Sequence, residues 1–329
     1  MRSVYYERQG TAAEVLVFGD IPRPEPTAGE VLVRIHVSGI NPSDIKNRTG
    51  FVSKMAFPRI IPHQDGAGII EAVGEGVAPE RVGERVWVFE AQTKRPGGTA
   101  AEYTTVPSGN AVRLPDVASF ETGAALGVPA MTAHRCLFAD GELRGRRVLV
   151  QGGAGAVGSA AIQLAKWSGA WVAATVRRPE QREVARQAGA DLVVDHGNAD
   201  LARIIKAETM NDGVDRIVEV DLASNLDIDL ACLANGGAIS AYATHGAAVK
   251  VPVPVLASMF LNGAVRFVYV YTMPVDAKRR AIGDITECLK AQAYDPKIGL
   301  VLPLSRTVEG HVAVEAGLVG KALIKVADE

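Results

Sequence analysis

Apolar and polar positions change rhythm along this chain, and the change divides it. Early on, residues 31–37 mix apolar and polar positions as a half-buried strand does. Residues 66–74 and 85–89 read as further short strands between turns marked by glycine and proline. Such a run predicts a small, partly open β-barrel. From about Glu121 the rhythm becomes an alternation of strands and helices. Residues 147–158, followed by 159–166, read as a buried strand, a glycine turn, and a helix whose first turn is almost bare. Residues 171–176, 192–194, 215–220 and 238–242 predict four more strands, the last entered through Gly236 and Gly237, with 265–271 as a sixth. A helix over 179–188 begins at Pro179, whose fixed φ suits a first helical position, and stops at Gly189. Alternation of this kind predicts a doubly wound parallel sheet, with its ligand across the carboxyl ends of the strands. Residues 321–326 read as a strand returning to the first part. The expected domains are therefore 1–122 with 270–329, and 123–269.

Composition narrows the class of protein. The chain has 329 residues, 48% hydrophobic and 22% charged, and a formal net charge of −2. That balance offers no basic footprint for nucleic acid or an acidic membrane surface. No apolar run approaches the roughly 20 residues of a membrane helix. The first residues, from Met1 to Tyr6, lack the apolar core of a signal peptide. Cys136, Cys232 and Cys288 are few and far apart, which points to a reducing, cytoplasmic setting and to small buried apolar roles. They cannot make a four-cysteine zinc site.

The glycine turn carries the first chemistry. Gly153, Gly155 and Gly158 fill a G-x-G-x-x-G pattern between a strand and a helix. The first permits a tight turn, the second lets backbone approach a pyrophosphate, and the third lets helix pack on strand. The exposed N–H groups at the helix start then face an anion. Dinucleotide sites that prefer NAD carry a carboxylate about 20 residues further on. Here the second strand ends on Arg177 and Arg178, with no carboxylate before Glu180. Two guanidiniums suit a 2′-phosphate, so the expected cofactor is NADPH; the alternative is a solvated pair at a helix entry. His196, after the third strand, can reach the same end.

Several stretches together resemble the zinc-independent quinone oxidoreductases, the zeta-crystallin-like branch of the medium-chain dehydrogenase/reductase superfamily. They are Gly39 to Asp44, Gly66-Ala67-Gly68 with Val73-Gly74, Gly83 to Trp87, Gly127 to Ala133, the turn with Gln163 to Lys166, Gly189-Ala190-Asp191, Leu233 to Gly237, and Gly320-Lys321. The resemblance spans nearly the whole length. It implies an α/β protein with a GroES-like partly open β-barrel domain and a doubly wound Rossmann domain. Where zinc-dependent relatives have a cysteine and a His-Glu pair, this chain has Asn41 and Gln64-Asp65, so no metal is expected. The implied reaction is hydride or single-electron transfer from NADPH to a quinone or another conjugated carbonyl. Alternatives are an enoyl or 2-alkenal double-bond reductase, and an NADPH-binding protein with a structural or regulatory role and little turnover.

The resemblance also implies site residues. Ala154, Gly155, Ala156 and Val157 fall at the pyrophosphate, and Arg177, Arg178 and His196 at the adenosine side. Asn41 and Thr132 fall near the nicotinamide. Asn225, Ala243 and Thr244 follow the fourth and fifth strands, and Val268, Tyr269 and Val270 match a segment that meets the carboxamide. Family tyrosines are replaced here by Lys46 and Val52, with Phe51 adjacent, so Asn41 and Lys46 are the catalytic candidates. Phe51, His63, Phe89, Met131 and Tyr269 are candidate walls of the acceptor pocket. A homodimer is implied, with residues 265–271 as its sheet edge.

Overall fold

The computed structural model describes residues 1–51 and 53–326; Val52 lies outside the described residues. Along the chain, β1 (Arg2–Tyr5), α1 (Ala12–Val15) and β2 (Val17–Asp20) precede the long β3 (Glu30–Ile40). Then come α2 (Pro42–Thr49), β4 (Asp65–Val73), β5 (Arg85–Val88), β6 (Tyr103–Pro107), β7 (Ala111–Arg113), α3 (Phe120–Ala124) and α4 (Gly127–Phe138). The strands β8 (Arg147–Val150), β9 (Trp171–Val176), β10 (Leu192–Asp195), β11 (Val214–Glu219), β12 (Leu233–Ala241) and β13 (Ala264–Phe267) follow. Between them lie α5 (Ala156–Trp167), α6 (Pro179–Gln187), α7 (Leu201–Glu208), α8 (Leu222–Cys232) and α9 (Val255–Phe260). The helix α10 (Val275–Lys290), β14 (Ile298–Pro303), α11 (Thr307–Glu315) and β15 (Lys321–Lys325) close the described chain.

These elements form two units. Met1–Val128 with Pro296–Glu329 is one, and Pro129–Asp295 the other. Both boundaries fall later than the expected 122/123 and 269/270. Gly123 packs so tightly on Ala67 and Leu114 that a side chain there would clash, which keeps α3 with the first unit. Residues 270–295 stay with the second because His134 Nε2 bonds Asp284 Oδ2 at 2.7 Å and the Asp295 N–H donates to Gln163 Oε1 at 2.6 Å.

In the first unit β3 is the hub. It pairs antiparallel with β4, β6 and β15, and β15 pairs parallel with β14. The returning tail is therefore a sheet strand. Val33, Ile35, Ile70, Val86 and Val88 point from these strands into one core. In the second unit six strands lie in the order β10-β9-β8-β11-β12-β13, and every pairing is parallel. The order reverses direction between β8 and β11, which opens a crevice beyond their carboxyl ends. Leu149, Ile217 and Ile239, on three neighbouring strands, pack with Leu201 and Ile205 of α7 below it.

Candidate functional site

The second unit builds its crevice from the turn between β8 and α5. Gly152 holds φ +74°, so the left-handed residue stands one position before the Gly153 expected from the motif. Gly153 is needed for another reason: a Cβ there would lie 2.7 Å from the Ala174 Cβ. A Cβ on Gly158 would stand 2.2 Å from the Gly152 carbonyl oxygen, which is the expected close packing of helix on turn. Gly155, the residue before α5, differs from both. The nearest protein atom to a Cβ at this position is Gly152 O at 3.5 Å, so packing does not demand glycine. Its bare backbone faces outward instead. The first N–H groups of a helix, here those of Ala156, Val157 and Gly158, lack acceptors within it and carry partial positive charge. Such a bare helix start suits an anion such as a phosphate. Ala154 is buried in the turn beneath.

The segments that follow β9 to β13 carry most of the other expected cofactor residues. Arg177 and Arg178 donate their backbone N–H groups to Gln181 Oε1, which fixes the entry to α6. The Arg178 guanidinium lies 3.2 Å from the Glu180 carboxylate, and the exposed Arg177 guanidinium is near enough to the Asp221 carboxylate for the two charges to act on each other. His196 Nε2 lies 2.9 Å from Asn225 Oδ1, so the structure brings these two together. Ala243 is half-buried and Thr244 is exposed beyond β12. Val268 and Val270 are buried while Tyr269 is exposed, with its ring edge-on to Tyr271. Thr132 and Met131 are both buried on α4. Met131 is thus a core residue and not the expected pocket wall.

The first unit contains a buried polar cluster. Lys321 Nζ donates to Asn41 Oδ1 at 2.5 Å and to Asp65 Oδ2 at 3.0 Å. Asn41 Nδ2 donates to the same Asp65 oxygen at 2.8 Å, and Asp65 Oδ1 accepts the Val128 N–H. All three side chains are almost fully buried. Asn41 also starts α2, its N–H donating to Asp44 Oδ2 at 2.7 Å. Burial, and then the Asp65 charge, push the Asp44 carboxyl up to about 7. Lys46 is half-buried on the same helix, with its ammonium 4.9 Å from the Phe51 ring centre; burial lowers its pKa. Asn41 was expected to be catalytic. Its amide is held by a buried ion pair, with Oδ1 accepting from Lys321 and Nδ2 donating to Asp65.

A directional chain runs into this cluster. Thr99 Oγ1 donates to the Asp65 carbonyl, so Ser38 Oγ donates to Thr99 and accepts from His63 Nδ1. His63 Nε2 then accepts from His311 Nε2 at 2.9 Å, and His311 Nδ1 accepts from Arg48 Nε. Both imidazoles are neutral in this scheme. Burial holds His63 well below its ordinary value and, with Arg48 beside it, His311 at about 3. His63 is therefore an internal link, not a pocket wall. Phe89 is likewise buried, against Trp87. Among the described residues, no three His, Cys, Asp or Glu side chains are placed to hold a metal ion. The Lys321 ammonium sits on the oxygens a cation would use.

A family model described as "Alcohol dehydrogenase GroES-like domain" matches residues 27–116, and one described as "Zinc-binding dehydrogenase" matches residues 156–285. The quinone oxidoreductase of Rattus norvegicus is 30% identical over 327 residues, 98% of this chain and 97% of that protein. This chain belongs to the quinone oxidoreductase family. The human member is 28% identical over the same shares of both chains. A mycobacterial quinone oxidoreductase structure superposes with a TM-score of 0.87 at 27% identity, over 99% of this chain and all of the other. The quinone oxidoreductase of Thermus thermophilus, solved alone and with NADPH, gives 0.82 at 28% identity, with the same coverage. The two family-model regions fall one in each unit, as a quinone oxidoreductase of the medium-chain dehydrogenase/reductase superfamily requires. Sequence reading overlooked the buried charges at the two sites. Lys321 opens a strand whose next three residues are apolar, and Glu219 closes one directly after the apolar Ile217 and Val218. A charge in such a run is the available signal, because burial of an ion demands a partner.

Proposed function

We propose that this chain is an NADPH-dependent reductase that reduces quinones or other conjugated carbonyls without a metal. The observation that carries this reading is the bare helix start at Gly155, with the Arg177 guanidinium beyond it on the rim. A carboxylate in that place would repel a 2′-phosphate; a guanidinium attracts it. When bound, NADPH supplies the hydride. Ala156, Val157 and Gly158 would hold its pyrophosphate, and Arg177 with His196 its adenosine end. Conjugated acceptors are already polarised, so orientation and a donor to the developing oxyanion suffice. Lys46 is the proposed donor. Its partly buried ammonium is more effective than one in bulk water.

The same reading includes a homodimer. β13 is the edge of the parallel sheet, and Val265 and Phe267 on it are exposed, as are Leu256, Met259 and Phe260 on α9. An apolar edge of this kind is ordinarily covered by a second copy.

The test is an acceptor panel run with NADPH and NADH, with products identified, in wild type and in a variant carrying R177E and R178E. The variant is expected to lose at least tenfold in kcat/KM with NADPH and little with NADH, since two carboxylates then face the phosphate. Unchanged preference would reject the assignment of Arg177. A saturated carbonyl product in place of a hydroquinone would select the double-bond reductase. Activity that a chelator abolishes would reject the metal-free reading.

A further inference from the structure

Two buried carboxyls lie under the glycine turn, each tied into its hydrogen bonds or into those of the rim. Glu219 ends β11 and Asp229 sits on α8; both are fully buried. Their hydrogen bonds can be followed oxygen by oxygen. Asp229 Oδ1 accepts from Gln151 Nε2 at 2.8 Å. Gln151 Oε1 accepts from Thr175 Oγ1 at 2.7 Å, and Thr175 Oγ1 accepts the Gly152 N–H at 3.1 Å. On the other side, Glu219 Oε1 accepts from Asn225 Nδ2 at 2.9 Å and from the Asp221 N–H. Asn225 Oδ1 accepts from His196 Nε2. Two oxygens remain, Glu219 Oε2 and Asp229 Oδ2, both buried with no N–H or other donor. The Glu219 charge acts on Asp229, and two buried carboxyls that share one site keep a proton on one of them. Burial, and then the Glu219 charge, hold the Asp229 carboxyl well above its ordinary value. Glu219 already takes two N–H donors, as an ionised carboxylate does. The shared proton therefore belongs on Asp229.

We propose that Glu219 is a positioning residue for the nucleotide, the one acceptor on which the hydrogen bonds of the glycine turn and of the His196 rim converge. Asn225 cannot flip, because its NH2 group would then face the His196 N–H and its oxygen would face the Glu219 carboxylate. His196 is thereby held as the Nε2–H tautomer, with Nδ1 left without a protein partner among the described residues. Through Asp229, Gln151 and Thr175 the same carboxylate fixes the direction of the Gly152 N–H. A nucleotide then meets a crevice ordered before it arrives, which reduces the cost of binding. This role rests on the reading of the crevice as an NADPH site.

The experiment uses the full-length chain with 15N-labelled histidine in mildly alkaline buffer, so that the imidazole is neutral. Ring nitrogen shifts of His196 without nucleotide report the tautomer, and fluorescence titration gives Kd for NADPH and NADH. Wild type is expected to show the Nε2–H form. Glu219→Ala is expected to give mixed tautomers and NADPH binding weakened about tenfold or more, the scale of one lost hydrogen bond to a charged group. Glu219→Gln is expected to restore both, since its Oε1 still accepts from Asn225 and so still sets the His196 tautomer. A wild-type Nδ1–H tautomer, or a Glu219→Ala chain that matches wild type in tautomer and in Kd, would overturn the proposal. If Glu219→Ala does not fold, the wild-type tautomer and the Glu219→Gln titration decide it. A wild type with the expected tautomer that binds NADH but not NADPH would refute the cofactor choice and still support Glu219 as the positioning residue.

Discussion

Lys321 shows how much one buried charge can organise. Its ammonium is 2% exposed and neutralises an Asp65 side chain that is fully buried. Removing one partner of such a pair leaves the other desolvated, at a cost of about 3–5 kcal/mol. Lys321→Met should therefore lower stability by that order in urea unfolding. The double variant D65N with K321M should recover much of the loss, because no lone charge then remains. A single variant as stable as wild type would show that the pair contributes nothing. At this scale the sequence was legible only in part. That Arg177 and His196 follow the ends of strands is legible in the sequence. The commitment of Asn41, and the burial of His63, Phe89 and Met131, are not, because a pattern of types does not say which residues meet across the fold.

The turn between β8 and α5 was legible because its demands are local: glycine where φ is positive or space is absent. Its glycines nonetheless differ in role, which a motif alone conceals. Gly155→Ala has φ −74° and open space, so stability should stay within about 0.5 kcal/mol while NADPH affinity falls at least tenfold. Gly158→Ala meets the Gly152 backbone oxygen and should cost about 1–3 kcal/mol in unfolding free energy. Equal effects of the two in thermal melts would contradict the distinction. The strand 171–176 is legible to its ends because a continuous apolar run marks a buried parallel strand. β12 starts earlier than residue 238, at Leu233, since the strand passes through Gly236 and Gly237 at a break in its register with β11. The sixth strand ends at Phe267, and residues 270–272 turn into a short 3-10 helix.

For the whole molecule, the assembly and its response to acid can be stated in advance. If β13 and α9 form the interface, Phe267→Asp should give a monomer in sedimentation velocity; a dimer that persists would place the contact elsewhere. Buried His63 and His311 stay neutral in the fold but take up protons near pH 6.5 when unfolded. The unfolded state then binds more protons, so these two reduce stability as pH falls below about 6.5. Asp44 acts in the opposite sense: folded it keeps its proton up to about pH 7, unfolded only to 3.8, so its contribution is lost as pH rises through that window. Asp44→Asn removes this opposing contribution. Urea midpoints from pH 4 to 7 should show stability rising more steeply with pH in the variant, by up to about 1.4 kcal/mol per unit. Identical slopes would show that Asp44 titrates normally. The three cysteines carry one last consequence. Cys136, Cys232 and Cys288 are buried, all belong to the second unit, and burial pushes their thiols up, to about 12 for the latter two. Sulfur nucleophilicity needs the thiolate, so an alkylating reagent can capture these atoms only while that unit is open. The chain thus carries an internal clock for one half of itself, and the other half is silent to it.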